Sequence, residues 1–584
     1  MRRSVNGMHR RAAAARPLAA AGWAAGLVLL MAGGAAAADS DDPIITHVDA
    51  LIRQAWVENG VEPSAQCSDN EFSRRACLDI VGHIPSVDTL AAFLADSAPD
   101  KRRRLIDQLL DDPDYERNWS TIWANLLVGR RNNRGSRPFL EQWLRDALHR
   151  NVAYDRFVYD LIAAEGDNAD NGAVNFLSAH LNDGAVPATA ITARLFLGLQ
   201  VQCTQCHNHP FNDWKQTQFW GLNAFFKGTR IDGGGGRGEF TLRDAPGPNL
   251  VFFEKRSGLE EAIGRQFVDG TLVTVTGDDD HPRRQLAELI TDPARPYLAR
   301  TQVNRMWGHF FGFGFTKPVD DMGPHNAPSH AELLDYLSSE FTKAGFDNKR
   351  LIRWITASAA YNLTSRAGAN NQLDDPNTGT TPHFSRMYIK SFSAEQLYDS
   401  LLVATDADKA NRNEEAARNQ RRAWLSQFIQ AFGTDENDET TTFNGTVPQA
   451  LVLMNGELIQ NALSDAPGGF LHRLLAEDPP QLASLRMKDL RAKRSQANAK
   501  PDRPKPAAPE KPRRSRARPA APLPPVLRNK LDALFLAALA RFPTDEEENR
   551  LYSLALRDPE RNPIHALQDV FWAVLNSNEF IINH

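Results

Sequence analysis

Residues 188–228 read ATAITARLFLGLQVQCTQCHNHPFNDWKQTQFWGLNAFFKG. Two apolar runs flank a short polar stretch. The first, 188–203, is apolar enough for a buried helix, and TQFWGLNAFFKG at 217–228 reads as a second. Between them Cys203, Cys206, His207 and His209 crowd into seven positions of a chain that has only four cysteines. The motif is therefore expected on a loop between two buried helices.

Upstream, 47–165 carries apolar residues at helical spacing. LIDQLLDDPDYERNWSTIWANLLVGR puts Trp119 and Trp123 one turn apart, and Pro138 suits the first turn of a helix through RPFLEQWLRDALHRN. The Trp, Phe and Leu stripes read as core faces. Downstream, four glycines at 233–236 suggest a flexible loop. GEFTLRD, NLVFFEK and RQFVDGTLVTVTG then alternate as strands, with Asp269-Gly270 as a hairpin turn. From 282 the pattern is helical again. Ser329 with Glu332 three positions on predicts a capping box, and Gly345 a helix stop. The expected fold is mainly α-helical, in two multi-helix parts with a small antiparallel β insert at about 238–276. The expected organisation is a signal peptide at 1–38, a helical domain at 47–230 with the CTQCH motif, a Gly-rich loop and β insert at 231–281, and a second helical domain at 282–483 plus 526–584. Residues 494–525 are almost all Pro, Ala and basic residues, an expected disordered insertion.

Composition sets the class. A chain of 584 residues, 42% hydrophobic and 24% charged, is ordinary for a globular protein and long enough for two or three cores. Cores of this size need no disulfide framework. Five arginines among residues 2–16, an apolar run over Leu18–Met31 and Ala36-Ala37-Ala38 predict a cleaved secretory leader. The expected location is therefore the periplasm or cell envelope, with no integral membrane segment after cleavage. The formal charge of −5 includes a basic stretch, Arg486–Arg518, with thirteen basic residues against three acidic. That stretch reads as a solvated loop, or as a basic arm for an acidic polysaccharide. Nucleic acid is not the expected partner.

The CTQCHNH stretch admits three readings. Two thiols three positions apart can reach the two vinyl groups of one haem, with His207 next in line as proximal ligand. Export favours this reading, since c-type haem is attached outside the cytoplasm. Alternatively, Cys203, Cys206, His207 and His209 make the ligand set of a zinc or copper site, though at tighter spacing than usual. The third reading is a Cys203–Cys206 redox pair with bystander histidines. No sixth haem ligand stands out among Met306, Met322, Met387, Met454, His309, His325 and His330. His309 lies among aromatics in NRMWGHFFGFG and reads as a satisfied core histidine. Asp320, Asp321, His325 and His330 share one loop and could be an acid–base pair or metal ligands, but such residues more often cap helices and turn the chain. Cys67 and Cys77 could pair or be buried singly.

Two long stretches, CSDNEFSRRACLDIVGHIPSVDTLAAFLADSAPDKRRRLIDQLLDDPDYERNWSTIWANLL and LFLGLQVQCTQCHNHPFNDWKQTQFWGLNAFF, resemble the planctomycete-type cytochrome-like domain. The stretches LARTQVNRMWGHFFGFGFTKPVDDMGPHNAPSHAELLDYLSSEF, LIRWITASAAYN, VPQALVLMNGELIQ and ALARFPTDEEENRL are similar to its usual companion, a planctomycete-specific domain of unknown function. The resemblance implies a covalent haem c on Cys203, Cys206 and His207. It draws His209, Pro210 and Phe211 into the site pattern, with His309 and His330 as candidate further metal ligands. It implies an exported redox or electron-transfer protein with a redox partner or an exported partner protein. The alternatives are a zinc- or copper-stabilised envelope binding or assembly protein, or a metal-dependent hydrolase of polysaccharide breakdown using the Asp320–His330 loop.

Overall fold

Helix starts are written locally. Ser68, Ser86, Asp112, Asp347 and Ser393 each accept a hydrogen bond from a first-turn N–H, satisfying donors that have no partner inside the helix. They begin helices Asp69–Ile80, Val87–Ala95, Pro113–Val128, Asn348–Ala357 and Ala394–Thr405. The computed structural model describes residues 42–130, 137–210, 212–233, 239–245, 250–274, 280–410, 414–432, 447–476, 525–551 and 563–584. The expected signal peptide, Gly234–Gly236, Phe211 and the 494–525 insertion lie outside these residues. Helices dominate, and the sheets are small and antiparallel, as the patterning predicts. Among the described residues no helix is long and apolar enough to cross a membrane.

Three local expectations change. Ser329 does not cap the helix Ala331–Lys343, whose preceding residue is His330. The Ser329 N–H goes to the Phe315 carbonyl at 2.7 Å and its hydroxyl faces His330 Nδ1 at 3.0 Å, so loop closure takes the groups a cap would have used. The strands also begin earlier than the expected insert. Thr229–Gly233 pairs with Phe240–Asp244, which also pairs with Gly166–Asp167 from the preceding helical region. Finally, RQFVDGTLVTVTG, as far as it is described, makes one isolated bridge, Gln266 with Leu272, and not a full hairpin. Phe267 and Val268 are both buried, so the alternation a strand needs is broken there. Gly345 ends its helix as expected, at φ +70°, and Trp119 and Trp123 are core residues.

The described residues from Pro43 onward form one compact unit, and buried apolar side chains of both the 47–230 region and the region after 282 belong to one continuous cluster. The helix Asp69–Ile80 joins them with three buried charges. Arg74 donates to the carbonyls of Ala538 and Phe580, both at 2.8 Å. Arg75 donates to the carbonyls of Tyr361 (2.6 Å) and Leu363 (3.0 Å) and pairs with Glu71 at 2.8 Å. Asp79 accepts from Lys390 Nζ (2.6 Å), Tyr361 Oη (2.8 Å) and Asn583 Nδ2 (2.7 Å). Buried charge is costly unless paired and hydrogen-bonded: Arg75 and Asp79 have both kinds of partner, whereas Arg74 is held by carbonyl oxygens alone, and the Nε of each arginine has no partner among the described residues. Cys67 and Cys77 on and before this helix are free and buried, and burial pushes the Cys77 thiol up to about 12.

Candidate cofactor-binding loop

The apolar run before the motif is helical to Thr192, widens over Ala193–Leu197 and stops at Gly198. Gly198 is required twice. Its φ is +67°, and a Cβ there would lie 2.8 Å from Thr301 Oγ1 and 2.9 Å from Met322 Sδ. One 3₁₀ turn, Gln202–Gln205, follows. Thr204 at its centre is buried, with its N–H (2.9 Å) and Oγ1 (2.6 Å) both donating to the Val201 carbonyl. Cys203 lies within this turn and Cys206 follows directly at its C-terminal end. Both thiols are exposed and unpaired.

His207 is exposed, and its Nδ1 lies 2.7 Å from the Asn208 carbonyl oxygen. A carbonyl can only accept, so Nδ1 carries the proton and Nε2 presents a lone pair. That is the usual arrangement of a metal-ligating histidine, with the second ring nitrogen held by a backbone acceptor. The remainder of the loop is fixed by its own polar groups. Asn208 Oδ1 accepts from the Gln216 N–H at 3.0 Å, and the His209 N–H donates to the Trp214 carbonyl at 2.8 Å. The Gln205 carbonyl accepts from Gln216 Nε2 (3.2 Å) and Trp220 Nε1 (3.1 Å).

A second loop lies against the first. Buried Asp320 accepts from Gln200 Nε2 at 2.9 Å and pairs with Arg194 at 3.4 Å, and the Met322 N–H donates to the Gly198 carbonyl at 2.8 Å. Asp320 is therefore a structural anchor. The loop brings the His325 ring to 5.7 Å from that of His209, with Asp321 holding His325 Nε2 at 3.0 Å. Burial, with help from the neighbouring imidazoles of His325 and His207, holds His209 below its ordinary value, and Asp321 opposes this. His325 had only its place on the loop to mark it in sequence, and the Asp-x-x-x-His spacing was the available signal.

The other sequence candidates are used elsewhere. His309 Nε2 donates to the Asp79 carbonyl at 2.8 Å and its ring packs on Trp119. His330 is buried against Phe315 and Phe384, and burial takes it down to about 4. Neither touches the 203–209 loop. Met306 and Met387 are core residues, Met454 is exposed, and Met322 stands against Gly198. Among the described residues no three His, Cys, Asp or Glu side chains converge as a metal cage, so Cys203, Cys206, His207 and His209 are not gathered round one point.

Beside the turn is an open cleft of about 480 Å³, lined by Gln205, Cys206, His207, Trp220, Glu254, Lys255 and Arg256. Its volume falls within the range of small-molecule and cofactor sites. It offers a thiol, a free imidazole nitrogen, an indole face, two cations and one carboxylate, that of Glu254.

Residues 47–231 match the family model PSCyt2, a protein of unknown function (DUF1549), and residues 282–555 match PSD1, a protein of unknown function (DUF1553). The two follow one another in the companion order that the sequence suggests. No curated protein and no solved structure matches the chain.

Proposed function

We propose, for a chain in which a PSCyt2 region precedes a PSD1 region, that the 203–207 turn carries a covalently attached c-type haem. The protein is then an exported redox or electron-transfer component of the cell envelope. One observation carries this reading: His207 is tethered through Nδ1 with Nε2 free, directly after two exposed, unpaired thiols, one within a 3₁₀ turn and one at its end.

The residues present fit the group. Cys203 and Cys206 would hold it as thioethers, each S–H adding across one vinyl group, so attachment needs no oxidant. Their exposure and lack of a disulfide leave both sulfurs available for this. His207 would supply a nitrogen ligand through Nε2, and its bond to the Asn208 carbonyl fixes the tautomer and restrains the ring. Gln216 and Trp220 hold the Gln205 carbonyl, which restrains the backbone between the two cysteines. Trp220 also gives the cleft one apolar wall. The haem, when bound, supplies one-electron chemistry, and the protein supplies ligation, orientation and partial burial. Export rests on the leader read from residues 1–38.

The test is the intact mass and visible spectrum of the full chain, exported by a host with haem-attachment machinery. A gain of one haem mass and a Soret band that survives acid extraction are expected, and both should vanish in the Cys203→Ser/Cys206→Ser variant. A bare mass with no Soret band overturns the reading. Stoichiometric zinc or copper in that bare protein would establish the non-haem metal alternative.

A further inference from the structure

We infer that the tip of the hairpin Val251–Ile263, through Arg256 and Lys255, is the carboxylate-binding end of the cleft beside Cys206 and His207. The inference rests on the haem reading above and specifies which edge of such a ligand the cleft receives.

The hairpin is fixed to the motif turn by built contacts. Gln216 is buried, and its Nε2 donates both to the Gln205 carbonyl in the turn, at 3.2 Å, and to the Glu254 carbonyl in the hairpin, at 2.9 Å. One side-chain amide thus sets the spacing between the two walls. The Trp220 ring stacks on Phe253 of the hairpin, centroids 6.0 Å apart and planes 16° from parallel, while its Nε1 holds Gln205. Lys255 and Arg256 follow directly after Glu254. The reverse turn is closed by the Lys255 N–H to the Leu259 carbonyl and the Gly258 N–H to the Lys255 carbonyl, both 2.8 Å, with Gly258 at φ +79°. The two cations are therefore held on the cleft rim and not carried on a free strand end.

Their pairing differs. Lys255 is in contact with Glu261 across the hairpin. Arg256 is exposed and forms no ion pair or side-chain hydrogen bond among the described residues. A guanidinium presents a planar fork of donors that matches a carboxylate better than an ammonium does. An indole wall, a rim where two cations outnumber the Glu254 carboxylate and one guanidinium fork is uncommitted, and a thiol and imidazole in the same lining together suit a flat aromatic ligand bearing carboxylates. The acidic edge of a porphyrin anchored at Cys203 and Cys206 is such a group.

The test separates this from the haem reading by removing covalent attachment. The full-length Cys203→Ser/Cys206→Ser variant is titrated with mesoporphyrin, which has two carboxylates and neither vinyls nor iron, and with its dimethyl ester, following tryptophan quenching. The diacid should bind more tightly by about tenfold or more, the effect of one charge-assisted hydrogen bond. Arg256→Ala in that background should abolish most of the preference, and Lys255→Ala a smaller part. Equal binding of acid and ester, binding of neither, or a preference unmoved by Arg256→Ala overturns the inference. A wild-type protein that carries covalent haem while its variant shows no acid preference would leave the haem reading intact. An acid preference in a chain that never acquires haem would leave the cleft assignment and remove the haem.

Discussion

Asp79 and the 203–209 loop are both rich in groups capable of chemistry, and they use them in opposite ways. Asp79 is 1% exposed, and both of its oxygens are engaged by Lys390, Asn583 and Tyr361. Burial and the adjacent carboxylate push the Tyr361 hydroxyl well above its ordinary value, while burial pulls Lys390 below its own. Such shifts in an unknown protein invite a catalytic reading. Yet Asp79 is closed off from solvent, and its bonds join the helix Asp69–Ile80 to strands Lys390–Ser391 and Ile582–Asn583. At the loop, by contrast, two thiols and one imidazole nitrogen face solvent without partners. A perturbed group whose bonding is complete builds the fold, and an ordinary group with a free valence beside a cleft is where a ligand can be held.

The largest expected effect tests the first half of that contrast. Asp79→Ala leaves Lys390 as a buried cation without its carboxylate, which costs about 3–5 kcal/mol in comparable pairs. Urea denaturation at neutral pH measures it, and a loss below about 1 kcal/mol would mean the pair is not structural. Next is His330, an orphan by the same standard, since its buried Nε2 has no partner among the described residues. Its folded value of about 4 lies below the ordinary 6.5, so the unfolded chain binds the proton first. Stability therefore falls as pH drops from about 6.5 toward 4, by up to about 3 kcal/mol. His584 is shifted the same way, so the measurement is the difference between wild type and His330→Phe, whose stability should fall less over that window. An identical pH slope in the two proteins would remove His330 from the account. Gly198→Ala comes third. The left-handed backbone and the contacts with Thr301 and Met322 together predict a loss of about 2 kcal/mol, with lower haem yield from a displaced loop.

Much of this was legible in the sequence. The helical class, the loop between two apolar segments, the glycine stop at 345 and the core role of Trp119, Trp123 and His309 all follow from periodicity and turn chemistry. These are local properties. What escaped was non-local. Nothing in SRRACLD says that Arg74, Arg75 and Asp79 are buried, because, Glu71 apart, their partners are carbonyls and side chains some three hundred to five hundred positions away. Burial of consecutive Phe267 and Val268 ended a strand that alternation predicted. The nearness of His325 to His209, and of Lys255 and Arg256 to Cys206, is likewise set by tertiary contacts through Asp320 and Gln216.

The smallest effect on stability carries the most information, and it lies inside one turn. Cys203 and Thr204 are neighbours, one exposed and one 1% exposed. If the contrast between complete bonding and free valence is right, they should respond in opposite senses. Thr204→Val removes the hydroxyl that caps the Val201 carbonyl and should cost about 1 kcal/mol. Because that bond orients the turn, haem attachment should become incomplete without being lost. Cys203→Ser, Cys206→Ser and His207→Gln replace exposed groups that hold nothing else in place, so each apoprotein should stay within about 0.5 kcal/mol of wild type. The cysteine variants should lose one thioether each, and His207→Gln should keep the mass and shift the spectrum by losing its nitrogen ligand. Denaturation of the apoproteins, with mass and spectrum of the exported forms, reads both quantities on the same set. If Cys203→Ser instead unfolds the chain as Asp79→Ala does, the thiol belongs to the fold, and a free valence at the surface of this protein does not mark a site.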